Sequence, residues 1–442
     1  MTFTYSQYAA LVLLLLAGLL ASVSGHAAGE ATTNSLTLAG ALQLAGERNL
    51  ALRSAMEEKA VARGRIQQSR SAALPHVDVG AQYTRLDDVA MFGDIAMGQK
   101  NTYELTADVS QVLYAGGGVR AALRLATEYA AVADAWIADV GEQVAYTVHV
   151  RFNQALLARE TLAVAAQCEA LAKRNHSDVT ARLDQGMATR FDQLRADEQL
   201  SRAEAQRIAA TNGELKARLA LLKTLELPLD DAREIVGLLD AALSVNDSVD
   251  VDMALQRRPD IVASGRAVAV QREALTVARS GRRPTLALFG QVKQTNPDRS
   301  FADEWENQWL VGVRAELPVF DGRETRGKIT QAEAALRRAR LEHDAAISQA
   351  RLEIAEARAD AATAEKMVEA RERNVAQAEE ALRLARKSYA EGMQQQIDVI
   401  TAQTAFTESR YQLASAQFEH TMACRRLELV TGSLTESDNT AK

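Results

Sequence analysis

Two periodicities divide this chain. In four short stretches apolar and polar residues alternate. Val77, Val79, Ala81 and Tyr83 are set against His76, Asp78, Gly80, Gln82 and Thr84. Tyr103, Leu105, Ala107 and Val109 are set against Glu104, Thr106, Asp108 and Ser110. Trp309, Val311, Val313, Ala315 and Leu317 interleave with Leu310, Gly312, Arg314 and Glu316, and Leu286, Leu288 and Val292 give a weaker fourth stretch with Phe289 out of phase. The pattern predicts strands over about 75–86, 102–113, 285–294 and 308–318. Segments of about ten residues with one apolar and one polar face are the signature of a strand in a transmembrane barrel. The aromatic residues Tyr83, Tyr103, Tyr114, Trp305, Trp309 and Phe320 fit a girdle at the membrane interface.

The second periodicity has steps of three, four and seven. After Gly322, small or apolar residues fall at Ala335, Ala339, Ala346, Ala350, Ile354, Ala357, Ala361, Ala378, Leu382, Ala385 and Tyr389, with Arg and Glu between them. That is a coiled-coil pattern with an Ala-rich seam, which lets helices approach closely. Prolines stand at 75, 228, 259, 284, 297 and 318, so none interrupts 76–227 or the chain after 318. Both segments are rich in strong helix formers. A helix over about 322–389 would be ~100 Å long at ~1.5 Å per residue, and its counterpart over about 119–183 nearly so.

The chain also repeats itself. Gln185-Gly186-Met187 leads to Asp192, and 206 residues later Glu391-Gly392-Met393 leads to Asp398. The same offset relates Gly116 to Gly322; with small indels Pro75 pairs with Pro284, and Asn49-Leu50 with Asp260-Ile261. Glycine supplies the left-handed backbone that ends a helix, and a carboxylate in the next first turn suits the positive helix end. The expected plan is therefore two copies of one unit. Repeat 1 covers 29–227, with a helical hairpin over 116–226 and its tip near 186–191. A linker of 228–251 follows. Repeat 2 covers 252–432, with a hairpin over 322–432 and its tip near 392–397, and a polar tail spans 433–442. Residues 1–28 carry no charged side chain, and an apolar run from Ala9 to Val23 precedes small residues, which reads as a signal peptide cut after Ala27 or Ala28.

Four strands are too few for a barrel, since closure needs about eight. Open strand edges are not tolerated in lipid. Several chains must then share one barrel, and three would supply twelve strands.

Composition narrows the chemistry. A net charge of −7 argues against nucleic acid as a partner. With the two tips at one level, Cys168 and Cys424 would differ in height by ~20 Å, too far for a disulfide, so both should be free and packed. The six histidines at 26, 76, 149, 176, 343 and 420 form no ligand cluster; His420 and Cys424, one helical turn apart, are too few ligands for a metal site. Phosphate loop, nucleophile elbow and paired catalytic carboxylates are absent from the sequence. The expectation is a protein without catalysis, metal or cofactor.

Strand pair, long helix, Gly-ended tip and returning helix, all twice, resemble the TolC-like outer membrane efflux proteins over residues 36–432. The cues are Leu113-Tyr114-Ala115-Gly116-Gly117, Val319-Phe320-Asp321-Gly322, Arg258-Pro259-Asp260-Ile261 and the two tips. The resemblance implies a mainly α fold with a membrane β portion: a homotrimer whose four strands per chain close a twelve-stranded barrel, with a helical barrel projecting into the periplasm. It implies a passive exit duct for efflux or type I secretion, working with a periplasmic adaptor protein, an inner-membrane pump of the RND, ABC or MFS type, and outer-membrane lipid. It also implies roles at the tips. Asp398 would join a carboxylate ring at the entrance, whose second aspartate is Thr401 here. Tyr389 would latch the closed state onto Asp192, so that Tyr389→Phe raises conductance; a second latch falls on Gln394 opposite Phe191 and is lost. Gly186, Met187, Gly392 and Met393 would meet the adaptor. The competing readings are a periplasmic adaptor, which has one hairpin flanked by soluble β-domains, and a soluble coiled-coil scaffold.

Overall fold

The computed structural model describes residues 35–89, 91–93, 95–96, 98–239 and 250–434. The expected signal peptide, residues 240–249 of the linker and residues 435–442 of the tail lie outside the described residues.

The order of elements is β1 (Ser35–Leu36), α1 (Leu38–Arg48), α2 (Leu50–Ser71), β2 (His76–Arg85), β3 (Met91–Phe92), β4 (Ile95–Ala96), β5 (Asn101–Ala115), α3 (Gly118–Asp184) and α4 (Arg190–Thr224). Then come β6 (Glu234–Ile235), α5 (Val251–Arg257), α6 (Pro259–Ser280), β7 (Thr285–Asn296), β8 (Glu306–Glu316), α7 (Glu324–Ala390) and α8 (Gln396–Val430). The duplication is metrical. Helices α2 and α6 each have 22 residues, α3 and α7 each 67, and α4 and α8 each 35. At ~1.5 Å per residue the two longest helices span ~100 Å.

The helix breaks recur with different chemistry. Asn49 ends α1 and caps α2, its Oδ1 accepting from the Ala51 and Leu52 amides at 3.0 and 3.3 Å. The matching cap in repeat 2 is Arg258, followed by Pro259 at the first helical position. The sequence pairing of Asn49 with Asp260 is thus two residues off, because proline presets the first turn where Asn49 uses its side chain.

Four strands form one antiparallel sheet in the order β2–β5–β7–β8, so the two repeats join through β5 and β7. Its apolar face is exposed: Val79 is 82% accessible, Trp309 79% and Val311 69%. The opposite face is polar, with Lys293 and Glu104 paired at 2.8 Å and the Gln291 amide donating to Asp108. Phe289 falls on this polar face, where its ring lies against Gly312 and under the Arg314 guanidinium, 5.1 Å from the centroid. Tyr83, Tyr103 and Trp305 cluster at the loop end, with centroid separations of 5.1 and 6.4 Å. Tyr114 lies at the opposite end of β5, and exposed Phe320 follows β8. Trp309 lies on the apolar face of β8. It shares a row with Val79, Ala107 and Val292, two rows in from Tyr83 on the same face.

Below the sheet the helices form a four-layer wall in which α4 packs on α3, α3 on α8 and α8 on α7. Expected seam residues Ala339, Ala350, Ile354, Ala357, Ala361, Leu382 and Ala385 are buried. The largest apolar core sits at mid-height, where Leu36, Leu52, Val148, Phe152, Leu221 and Leu225 converge. Burying each such large side chain contributes about 1.5–3 kcal/mol. The predicted linker is part of this belt, since β6 pairs in parallel with β1 and Ile235 packs on the core. The first residues of the predicted tail are also packed: Leu434 is fully buried beside Ala145 and Leu429. Cys168 and Cys424 are free, as expected, and burial pushes the Cys424 thiol up to about 11.

Candidate functional site: the hairpin tips

The two tips are built by the same backbone device. In the first, the Gly186 amide donates to the Leu183 carbonyl at 2.9 Å and the Met187 amide to the Arg182 carbonyl at 2.8 Å. In the second, Gly392 donates to the Tyr389 carbonyl at 3.1 Å and Met393 to the Ser388 carbonyl at 2.9 Å. These nested bonds satisfy the last helical carbonyls and require a left-handed residue. Gly186 and Gly392 provide it, with φ of +73° and +75°. No atom stands within 4 Å of where a Cβ would be at either glycine, so conformation alone selects glycine there. The methionines that follow are free of packing: Met187 is 66% accessible and Met393 68%. Such a motif usually buries that residue against the last helical turn, but here the facing positions are Arg182 and Ser388.

The returning helices start differently. Thr189 and Asp192 cap each other. The Asp192 amide donates to Thr189 Oγ1, and Asp192 Oδ2 accepts from the Thr189 amide at 3.0 Å and from its hydroxyl at 2.7 Å. The Thr189 bonds hold the Asp192 carboxyl below its ordinary range. In the second tip Gln395 stands in place of Thr189. Asp398 accepts from the Gln395 amide at 3.2 Å, while its own amide bonds to the Gln395 main-chain carbonyl.

The remaining predicted tip residues fall as follows. Asp398, Thr401 and Gln394 are exposed, and the Thr401 hydroxyl donates to the Ile397 carbonyl within its own helix. Tyr389 and Asp192 are not hydrogen-bonded among the described residues. Asp192 is occupied by Thr189, and the Tyr389 ring instead lies under the Arg182 guanidinium, 4.5 Å from its centroid. The hairpins therefore meet at this level through a cation–π contact. The Phe191 ring lies under Arg195 of its own helix, 4.2 Å from its centroid, and no hydrogen bond joins Gln394 to hairpin 1 among the described residues. Higher up, Arg410 of α8 reaches Glu160 of α3 at 3.1 Å and also bonds Gln167.

Sequence reading missed a groove between the hairpins just above the tips. It has a volume of about 550 Å³, and Arg174, Asp178 and Arg182 of α3, Arg386 and Tyr389 of α7, and Gln403 of α8 help to line it. The available signal was Arg386 directly after the seam residue Ala385, a charge beside an inward-facing position. No group of three or more metal-ligating side chains comes together among the described residues. No described helix is long and apolar enough to cross a membrane.

The geometry has known counterparts. Outer membrane protein TolC of Vibrio cholerae is 22% identical over 385 residues, covering 84% of this chain and 85% of that protein. The alkaline protease secretion protein AprF of Pseudomonas aeruginosa is 23% identical over 65% of this chain, and this chain spans 61% of AprF. The crystal structure of the outer membrane protein VceC of Vibrio cholerae superposes with a TM-score of 0.77 at 19% identity, covering 89% of this chain and 96% of that one. The family model for outer membrane efflux proteins matches residues 41–226 and 251–433, nearly the whole of both repeats. With both copies of the strand-and-hairpin unit matched, this chain belongs to the outer membrane efflux protein family.

Proposed function

We propose that this chain is one third of an outer-membrane exit duct, a passive conduit that crosses the periplasm and the outer membrane. The observation that carries the reading is the sheet. Its four strands expose a continuous apolar face, and the outer edges of β2 and β8 have no partner among the described residues. Unpaired edges are not stable in lipid, so neighbouring copies supply the pairing. The helical wall supports the same closure. Its flanking helices expose Ile208 and Leu215 on α4 and Leu341 and Leu352 on α7, apolar surface for the next copy. A head-to-tail contact repeated around an axis closes a ring, and three copies give twelve strands.

The exposed tips Gly186-Met187 and Gly392-Met393 are the surface for a periplasmic adaptor, which couples the duct to an inner-membrane pump of the RND, ABC or MFS type. Asp398 and Asp192 line the entrance. An alkaline protease secretion protein among the relatives favours type I secretion as one use, with small-molecule efflux the other. The duct has no chemistry of its own in this reading.

Purified protein should run as a trimer and form pores in a planar bilayer. A monomer that leaves membranes without detergent and never conducts would overturn the reading in favour of a soluble scaffold. At the gate, the Arg182–Tyr389 contact gives a sharper test. Tyr389→Leu removes the ring and should raise single-channel conductance, whereas Tyr389→Phe keeps the ring and should leave it close to wild type. An equal rise in both variants would restore the hydroxyl-to-Asp192 latch.

A further inference from the structure

The groove between the hairpins carries an excess of positive charge among the described residues. Arg174 and Arg182 face it from hairpin 1 and Arg386 from hairpin 2, against one lining carboxylate, Asp178. Neither Arg174 nor Arg386 has an ion pair among the described residues. Burial and the charge of Arg174 across the seam both pull the Arg386 guanidinium below its ordinary value. Arginine cannot shed its proton, so the repulsion between hairpins persists at any working pH. A second, independent feature lies in the same groove. Gln403 is 2% accessible, and its Nε2 has no partner among the described residues. A buried amide donor left unmade is costly.

Both features want an acceptor of negative charge. The arginine fork matches the paired oxygens of a phosphate or carboxylate, and the Gln403 amide adds a donor from α8 once its side chain turns into the groove. We propose that this groove binds a small oxyanion of the phosphate or carboxylate class through Arg174, Arg386 and the Gln403 amide, and that the bound anion fastens hairpin 2 to hairpin 1. The fastening role rests on the duct reading; the anion site does not.

The test uses the full chain in detergent, titrated with inorganic phosphate at constant ionic strength against chloride. Calorimetry should show saturable binding with a rise in melting temperature. Arg386→Gln should weaken phosphate by about tenfold or more, as expected for loss of a charge-assisted bond. Arg386→Lys, with charge but no fork, should fall between. Arg383→Gln is the control, since Arg383 pairs with Glu380 away from the groove. In bilayers, phosphate on the tip side should lower the conductance of wild type but not of Arg386→Gln. Absent saturable binding, or equal affinity in wild type and Arg386→Gln, overturns the site. Binding without a change in conductance overturns the fastening role. A chain that binds phosphate but conducts in no form sinks the duct reading and leaves the site standing.

Discussion

The two hairpins have the same helix lengths and the same Gly-ended turns, yet they are held together differently. In hairpin 1, α3 and α4 are tied across their seam by Arg207–Glu169 at 2.5 Å and His176–Asp197 at 2.8 Å, and the return is locked by the reciprocal Thr189–Asp192 cap. Glu169 also takes Lys173 at 2.6 Å, and these two cations hold its carboxyl low. In hairpin 2 the ion pairs near the tip, Arg383–Glu380 and Lys387–Glu391, run along α7 rather than across to α8, and the cross-seam bond, from the Arg371 guanidinium to Gln412 at 2.6 Å, lies higher up. Its cap is half made. Backbone geometry thus fixes the shape of both tips, while side chains fix how firmly each is closed. Among the described residues hairpin 2 has the fewer side-chain ties near its tip.

The strand-to-helix junctions offer the largest test of this contrast. Gly116 and Gly322 are equivalent by repeat, with φ of +61° and +66°. A Cβ on Gly116 would stand 2.7 Å from the Ser280 carbonyl oxygen, whereas one on Gly322 would meet nothing. Gly116→Ala should cost the left-handed penalty of about 1–2 kcal/mol plus an overpacking cost of about 1–3 kcal/mol. Gly322→Ala should cost the first alone. Thermal melting of the two variants in detergent checks this, and equal losses would remove the distinction.

The caps come next. Thr189→Ala should destabilise the start of α4 by about 1 kcal/mol, seen as faster hydrogen exchange over residues 190–194. Gln395→Ala should change the start of α8 by no more than a few tenths of a kcal/mol, since its side chain supplies no bond there. If the second variant frays its helix as much as the first, the tips are equally locked.

The smallest effect is with pH. The folded Asp192 carboxyl titrates below its ordinary value, so its contribution is complete above the ordinary carboxylate range. It is lost as pH falls through the depressed value. Tip 1 should therefore keep its exchange protection from neutral pH to about pH 4 and lose it only below that, after correction for intrinsic exchange. Asp192→Asn should flatten the dependence.

Particular residues show what could be read in advance. The run of sequence without proline and the Ala seam located α7 to within two residues at each end, because helix propensity and packing period act locally. The alternation at 77–83 placed β2 equally well. Errors arose where one side chain replaces another in the same role. Asn49 and Arg258 cap equivalent helices with no chemistry in common, so similarity pointed to Asp260 instead. Leu434 was assigned to a tail although it fills a space beside Ala145, 289 residues earlier in the chain.

The sequence by itself determined two repeats, their helix and strand spans, the position of both turns and a strand count too small to close a barrel. All of these follow from periodicity, breakers and counting. Only the tertiary structure decided which side chains meet across the seam. Arg182 on Tyr389, Arg174 facing Arg386 and the sealed amide of Gln403 join α3 to α7 and α8 across some 200 residues of chain. That register is set by how the two hairpins pack against each other, which no local pattern records.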